Sequence, residues 1–95
     1  MSTKDEYVRK MQAKLDRWNA EIDLMAAKAD QASAEVRAGY HKHIEAMREK
    51  RDEARRRLEK LQHSGEGAWD DLKAGVELAW DALGEALDSA RSRFR

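Results

Sequence analysis

The chain contains no cysteine and no proline in 95 residues, only five glycines, and aromatic side chains at 6% of positions. Without cysteine there is no disulfide framework, no thiolate metal site and no cysteine nucleophile. Without proline, nothing in the backbone forces a kink or a stop. A net charge is also missing, since 19 Lys and Arg balance 19 Asp and Glu. No stretch approaches the ~20 apolar residues that span a bilayer. No apolar run follows Met1–Glu6, so a signal peptide is not expected and the cytoplasm is the expected compartment.

What is present is the composition of long helices. Charged residues make up 40% of the chain and hydrophobic ones 41%, with Ala, Glu, Lys, Leu and Arg dominant. Thr3 and Glu6 have the spacing of a capping box. From there an apolar seam runs through Val8, Met11, Leu15, Trp18, Ile22, Met25, Ala29, Ala32 and Val36 in alternating steps of three and four. That is a heptad pattern of the coiled-coil type. The steps become four, four and three through Tyr40, Ile44 and Met47, a stutter, and heptad order returns with Arg51, Ala54, Leu58 and Leu61. Gly39 lies inside the stutter. The apolar phase continues across it, so the pattern predicts one long helix over about 3–62. The alternative is a monomeric three-helix bundle with a turn at Gly39.

The clear break is His63-Ser64-Gly65-Glu66-Gly67, where Gly65 suits a left-handed helix end. A second helix is expected over about 66–93, with acids in its first turns and Arg91, Arg93 and Arg95 in its last, the order that suits the helix dipole. Within it Ala68-Trp69-Asp70-Asp71-Leu72 returns as Ala79-Trp80-Asp81-Ala82-Leu83, an eleven-residue period that keeps a helix nearly straight. Trp69, Leu72, Val76, Trp80, Leu83, Leu87 and Phe94 share one packing arc. Ala68, Gly75, Ala82 and Ala86 form a small-residue flank on one side. Asp70, Glu77, Asp81 and Asp88 form an acidic flank on the other.

A short connection makes antiparallel neighbours, so the second helix is expected along residues 41–62. Those residues carry eight Lys and Arg against five Asp and Glu, whereas 66–95 carry four against seven. The hairpin would leave Val8–Val36 uncovered, a strip of ~400 Å², at the limit of what soluble monomers expose. An antiparallel homodimer is therefore the expected state. Its interface would be Val8, Met11, Leu15, Trp18, Ile22, Met25, Val36, Tyr40, Ile44, Met47, Leu58 and Leu61, with Leu15 opposite Ala54 and Ala29 opposite Tyr40. A three-helix bundle would form at each end.

Sites for chemistry are few. His41 and His43 point nearly opposite ways on a helix and cannot share a metal. His41 and Glu45 share a face, yet lack further ligands. Arg48, Lys50, Arg51 and Arg55-Arg56-Arg57 form the strongest basic cluster, but Glu45, Glu49, Asp52, Glu53 and Glu59 are interleaved. A salt-bridged face against the acidic second helix is preferred over nucleic-acid binding. No phosphate-binding loop or nucleophile elbow occurs, so no catalytic residue, cofactor or metal is expected, and the chain is not expected to be an enzyme.

Three segments carry a resemblance: Gln12–Ile22 (QAKLDRWNAEI), Ala29-Asp30-Gln31-Ala32, and Ala68–Trp80 (AWDDLKAGVELAW). The chain resembles small coiled-coil proteins of cyanobacteria and proteobacteria described as stress-response proteins. The resemblance implies a long helix followed by a shorter one, and a role in stress response without assigned chemistry. That family commonly has a charged residue where Gly39 stands. The expected function is thus non-catalytic oligomerisation or protein interaction in stress response, with an unknown protein partner in addition to self-pairing. The alternative is reversible binding to a membrane or lipid surface through the amphipathic Trp69–Phe94 helix.

Overall fold

The computed structural model describes residues 3–65 and 67–93. Three helices follow one another: α1 (Thr3–Asp30), α2 (Ala34–Gln62) and α3 (Trp69–Arg93). They pack side by side into a rod of 51 × 19 × 18 Å. The all-α expectation holds, and α3 lies antiparallel on the second half of the preceding segment. It reaches as far as Tyr40, whose hydroxyl donates to the Arg93 carbonyl at 3.2 Å.

The 3–62 segment is not one helix. It breaks at Gln31-Ala32-Ser33, and α1 folds back along α2. Nor is the turn at Gly39, which sits in the body of α2 with helical backbone. Turn signals at the break are weak: no glycine, no positive φ, and Ser33 at φ −62°, ψ 155° without a side-chain cap bond. Tertiary burial supplies the reason for the bend. A helix of this length gains most of its stability from packing an apolar face. Folding back lets α1 cover the stripe that a straight helix would expose. Met11, Leu15, Ile22, Met25 and Ala29 of α1 are all buried. They meet Ile44, Met47, Ala54, Leu58 and Leu61 of α2, and Val76, Trp80, Leu83 and Leu87 of α3.

Two further expectations change. The 63–66 turn extends to residue 68, because α3 begins at Trp69. Gly65 does not adopt the left-handed conformation. The free carbonyls at the end of α2 find other donors. Lys4 Nζ, from the start of α1, reaches Ser64 O at 2.7 Å and Gln62 O at 3.2 Å. The Ser64 hydroxyl donates to Leu61 O at 2.6 Å. A cation on these carbonyls also complements the negative end of the helix dipole, and the contact staples α1 to the far end of α2.

Candidate functional site

The oligomer-interface residues inferred from periodicity are redistributed. Met11, Leu15, Ile22, Met25, Ile44, Met47, Leu58 and Leu61 are buried within the single chain. Val8, Trp18 and Tyr40 are half-buried against that core, and Val36 is exposed. The seam is therefore covered by the chain's own helices, which removes the exposed strip from which a dimer was argued. Among the helix-packing set, Val76, Trp80, Leu83 and Leu87 are buried, and Trp69 and Leu72 are half-buried beside them. Phe94 lies outside the described residues. Because the apolar arc of α3 is spent on the core, lipid binding through it would require the bundle to open.

Two furrows run along the rod. Between α1 and α3, whose backbones come together at few points, large side chains fill the gap. Trp18 lies over Gly84, where an added Cβ would sit 3.4 Å from the ring. Lys14 stacks on Trp18 with its nitrogen 4.9 Å from the centroid. Near the other end Tyr7 and Trp69 rings stand 6.1 Å apart, with Lys73 over both. Such cation–π contacts contribute about 0.5–1 kcal/mol at exposed sites. Glu77, Asp81 and Asp88 of the acidic flank of α3 face this furrow. Tyr7 donates to Glu77 at 3.4 Å, and burial, together with the nearby Glu77 carboxylate, pushes its phenol up to about 12. Arg91 forks onto Glu21 of α1, with Nη2 2.7 Å from Oε2. That hydrogen bond holds the Glu21 carboxyl below its ordinary value. Trp80 is buried at the furrow floor, and its Nε1 has no hydrogen-bond partner.

The second furrow lies between α2 and α3, on the side away from α1. One cavity of about 490 Å³ is lined by Arg56, Arg57, Lys60, Asp71, Leu72 and Gly75, with Glu53. Another of about 230 Å³ is lined by Lys50, Glu53, Arg57, Leu78, Ala79 and Ala82. The small-residue flank of α3 is here, as its composition suggested: Gly75 approaches so closely that a Cβ would sit 2.9 Å from Arg57 Nη1. Leu78 stands out from this wall at 69% exposure. Sequence reasoning passed over Leu78. Its signal was phase, because it is an apolar residue off the packing arc of α3.

The basic cluster is only partly neutralised. Glu53 accepts from Arg56 at 2.6 Å and from Arg57 at 2.8 Å, and those bonds hold its carboxyl below the ordinary range. Arg51 donates to Asp52 and, at 2.7 Å, to Asn19 of α1. The expected pairing of α2 cations with α3 acids does not occur among the described ion pairs, none of which uses Lys50 or Lys60. The α2 rim of the furrow thus keeps positive charge opposite an α3 wall of Leu72, Gly75, Leu78, Ala79 and Ala82, with Asp71 at one end. His41 pairs across the bend with Asp30 at 3.3 Å rather than with Glu45. Among the described residues no group of three His, Asp or Glu could hold a metal. No described helix is long and apolar enough to cross a membrane.

No family model, no curated protein and no solved structure matches the chain.

Proposed function

We propose that this chain is a non-catalytic helical interaction protein, acting in the stress-response role that its sequence resemblance implies, and that it binds a partner helix in the α2/α3 furrow. The observation that carries this reading is Leu78. It is a large aliphatic residue on the outer side of a helix whose apolar face is already used, and it stands between small residues that admit close approach. A fourth helix laid there would complete a four-helix arrangement by ridge-into-groove packing. Lys50, Arg56, Arg57 and Lys60 along one rim favour a partner whose flank is acidic, since charge complementarity steers and selects partners. Exposed polar rims of this kind set specificity, while the anchor residue supplies the affinity.

A designed amphipathic peptide with glutamates flanking a leucine stripe tests this directly. In an NMR titration it should shift amide signals of Lys50, Gly75, Leu78 and Ala82 and leave those of Arg17 and Asp23 in place. The same stripe flanked by lysines should bind at least tenfold more weakly, and Leu78→Glu should abolish the response. Equal binding of both peptides, or shifts spread along α1, would refute the assignment.

A further inference from the structure

The contacts between α1 and α2 follow the symmetry that an antiparallel alignment of neighbouring segments imposes. Asn19 meets Arg51, Asp30 meets His41, and Lys4 meets Ser64. Each pair is placed almost evenly about residue 35. Away from the bend at residues 31–33, a hairpin and two straight helices crossing antiparallel near residue 35 bring the same side chains together. They differ only in whether the partner segment belongs to the same chain.

We infer that the ledge formed by α2 and α3 accepts α1 from a second copy of this chain, through straightening of Gln31-Ala32-Ser33. Every core contact of one bundle is kept, and two bundles form end to end around a helix of ~60 residues. The short 63–68 connection keeps α3 on its own α2. The Glu21–Arg91 and Asn19–Arg51 contacts then run between copies.

The bend is poised for this exchange. Ser33 has φ −62°, already helical, so its ψ of 155° is the angle there that must change. No glycine or proline occupies the bend, and no described residue there has a positive φ. Its closure rests on local bonds: Gln31 N to Lys28 O, Ala32 N to Ala29 O, and Arg37 Nη2 to Ala32 O, each 3.1 Å. Straightening replaces the first two with α-helical bonds and joins the capless start of α2 to the end of α1. What opposes exchange is the advantage of an intramolecular partner, an effective concentration on the order of millimolar for a short connection.

Two substitutions move the equilibrium in opposite directions. Ala34 is the first residue of α2, where proline is well accommodated, and Ser33 already has the extended conformation that a following proline requires. Ala34→Pro therefore fits the bend and prohibits the straight helix. Ser33→Ala favours the straight helix, and because forming each dimer straightens two bends it should raise the dimerisation constant roughly tenfold. The measurement is sedimentation equilibrium after refolding at high protein concentration, repeated on each variant. Wild type should form dimer as concentration approaches the millimolar range, Ser33→Ala at about tenfold lower concentration, and Ala34→Pro not at all. The chain lacks cysteine, so a Leu15→Cys/Ala54→Cys variant reports connectivity, with disulfides between chains in the dimer fraction and within chains in the monomer fraction. A dimer that Ala34→Pro leaves intact, or one whose Leu15→Cys/Ala54→Cys disulfides stay within chains, would show that association uses another face. Monomer throughout for both wild type and Ser33→Ala would overturn exchange altogether. The furrow assignment stands or falls separately, because its peptide titration does not depend on the bend.

Discussion

Gly39→Ala separates the observed architecture from the one in which the chain turns at that glycine, and it does so by sign. In the structure Gly39 is exposed on α2 with ordinary helical backbone, and a methyl group built there meets nothing within 4 Å. The substitution therefore gains helix propensity without a steric cost. Glycine in a helix interior is less favourable than alanine by ~0.8–1.0 kcal/mol, mostly through the freedom it retains when unfolded. For a domain of this size, 1 kcal/mol moves the melting midpoint by about 4–8 °C. Urea unfolding followed by circular dichroism should show a higher midpoint with an unchanged slope, since the surface exposed on unfolding is the same. A left-handed turn at residue 39 would reverse the result, because alanine there costs about as much as it gains in a helix. A fall in midpoint would refute the placement of Gly39 inside α2 and the bend at residues 31–33 together.

Other consequences can be measured on the same material. Leu83 is fully buried, and Leu83→Ala should cost about 2–5 kcal/mol in urea unfolding, whereas Leu78→Ala, on the exposed outer wall, should stay within ~0.5 kcal/mol. The Glu21 carboxyl is held below its unfolded value by Arg91. Its stabilising contribution is therefore present above pH 4.5 and lost as pH falls through the folded value. Glu21→Gln should flatten the acid limb of the stability curve and leave the slope near neutrality unchanged. Tyr7 runs the other way. With its phenol pushed up from 10.0 to about 12, the protonated form is favoured by folding, so stability falls as pH rises from 10 towards 12. Tyr7→Phe should remove that alkaline loss, and phenolate absorbance should show one tyrosine titrating near 12. Trp80→Phe should fall within ~1.5 kcal/mol of wild type, well short of the 3–5 kcal/mol of a Trp→Ala change, because it also removes the unpartnered buried N–H.

Much of the core was legible in periodicity. The heptad from Met11 to Ala29, the half-buried Trp18 apart, and the arc from Val76 to Leu87 name residues that are buried, because a helix must hide one face. The antiparallel lie of α3 followed from the length of its connection. Less legible was the bend at Gln31-Ala32-Ser33, since none of those residues requires a turn and Ser33 makes no cap bond. The free energy that bends the chain comes from contacts as distant as Lys4 with Ser64, which no local window contains. The outer furrow was half legible. The small flank of α3 could be read from Ala and Gly spacing, but the standing of Leu78 depends on which face α1 occupies.

The failure to distinguish a hairpin from an antiparallel pair has a physical cause. Apolar periodicity specifies which side chains meet, and an antiparallel alignment of a segment with itself has a mirror point. With that point near residue 35, Leu15 and Ala54, both buried in the single chain, fall at matching positions in either pairing. Only two terms then decide connectivity: the conformational cost of the bend and the entropy of finding a second chain. The first rests on the extended ψ of Ser33, the local hydrogen bonds of the 31–33 segment and the Asp30–His41 pair across it. The second depends on concentration. Protein concentration and the helix preference of residues 33 and 34 are therefore the quantities on which the proposed exchange turns.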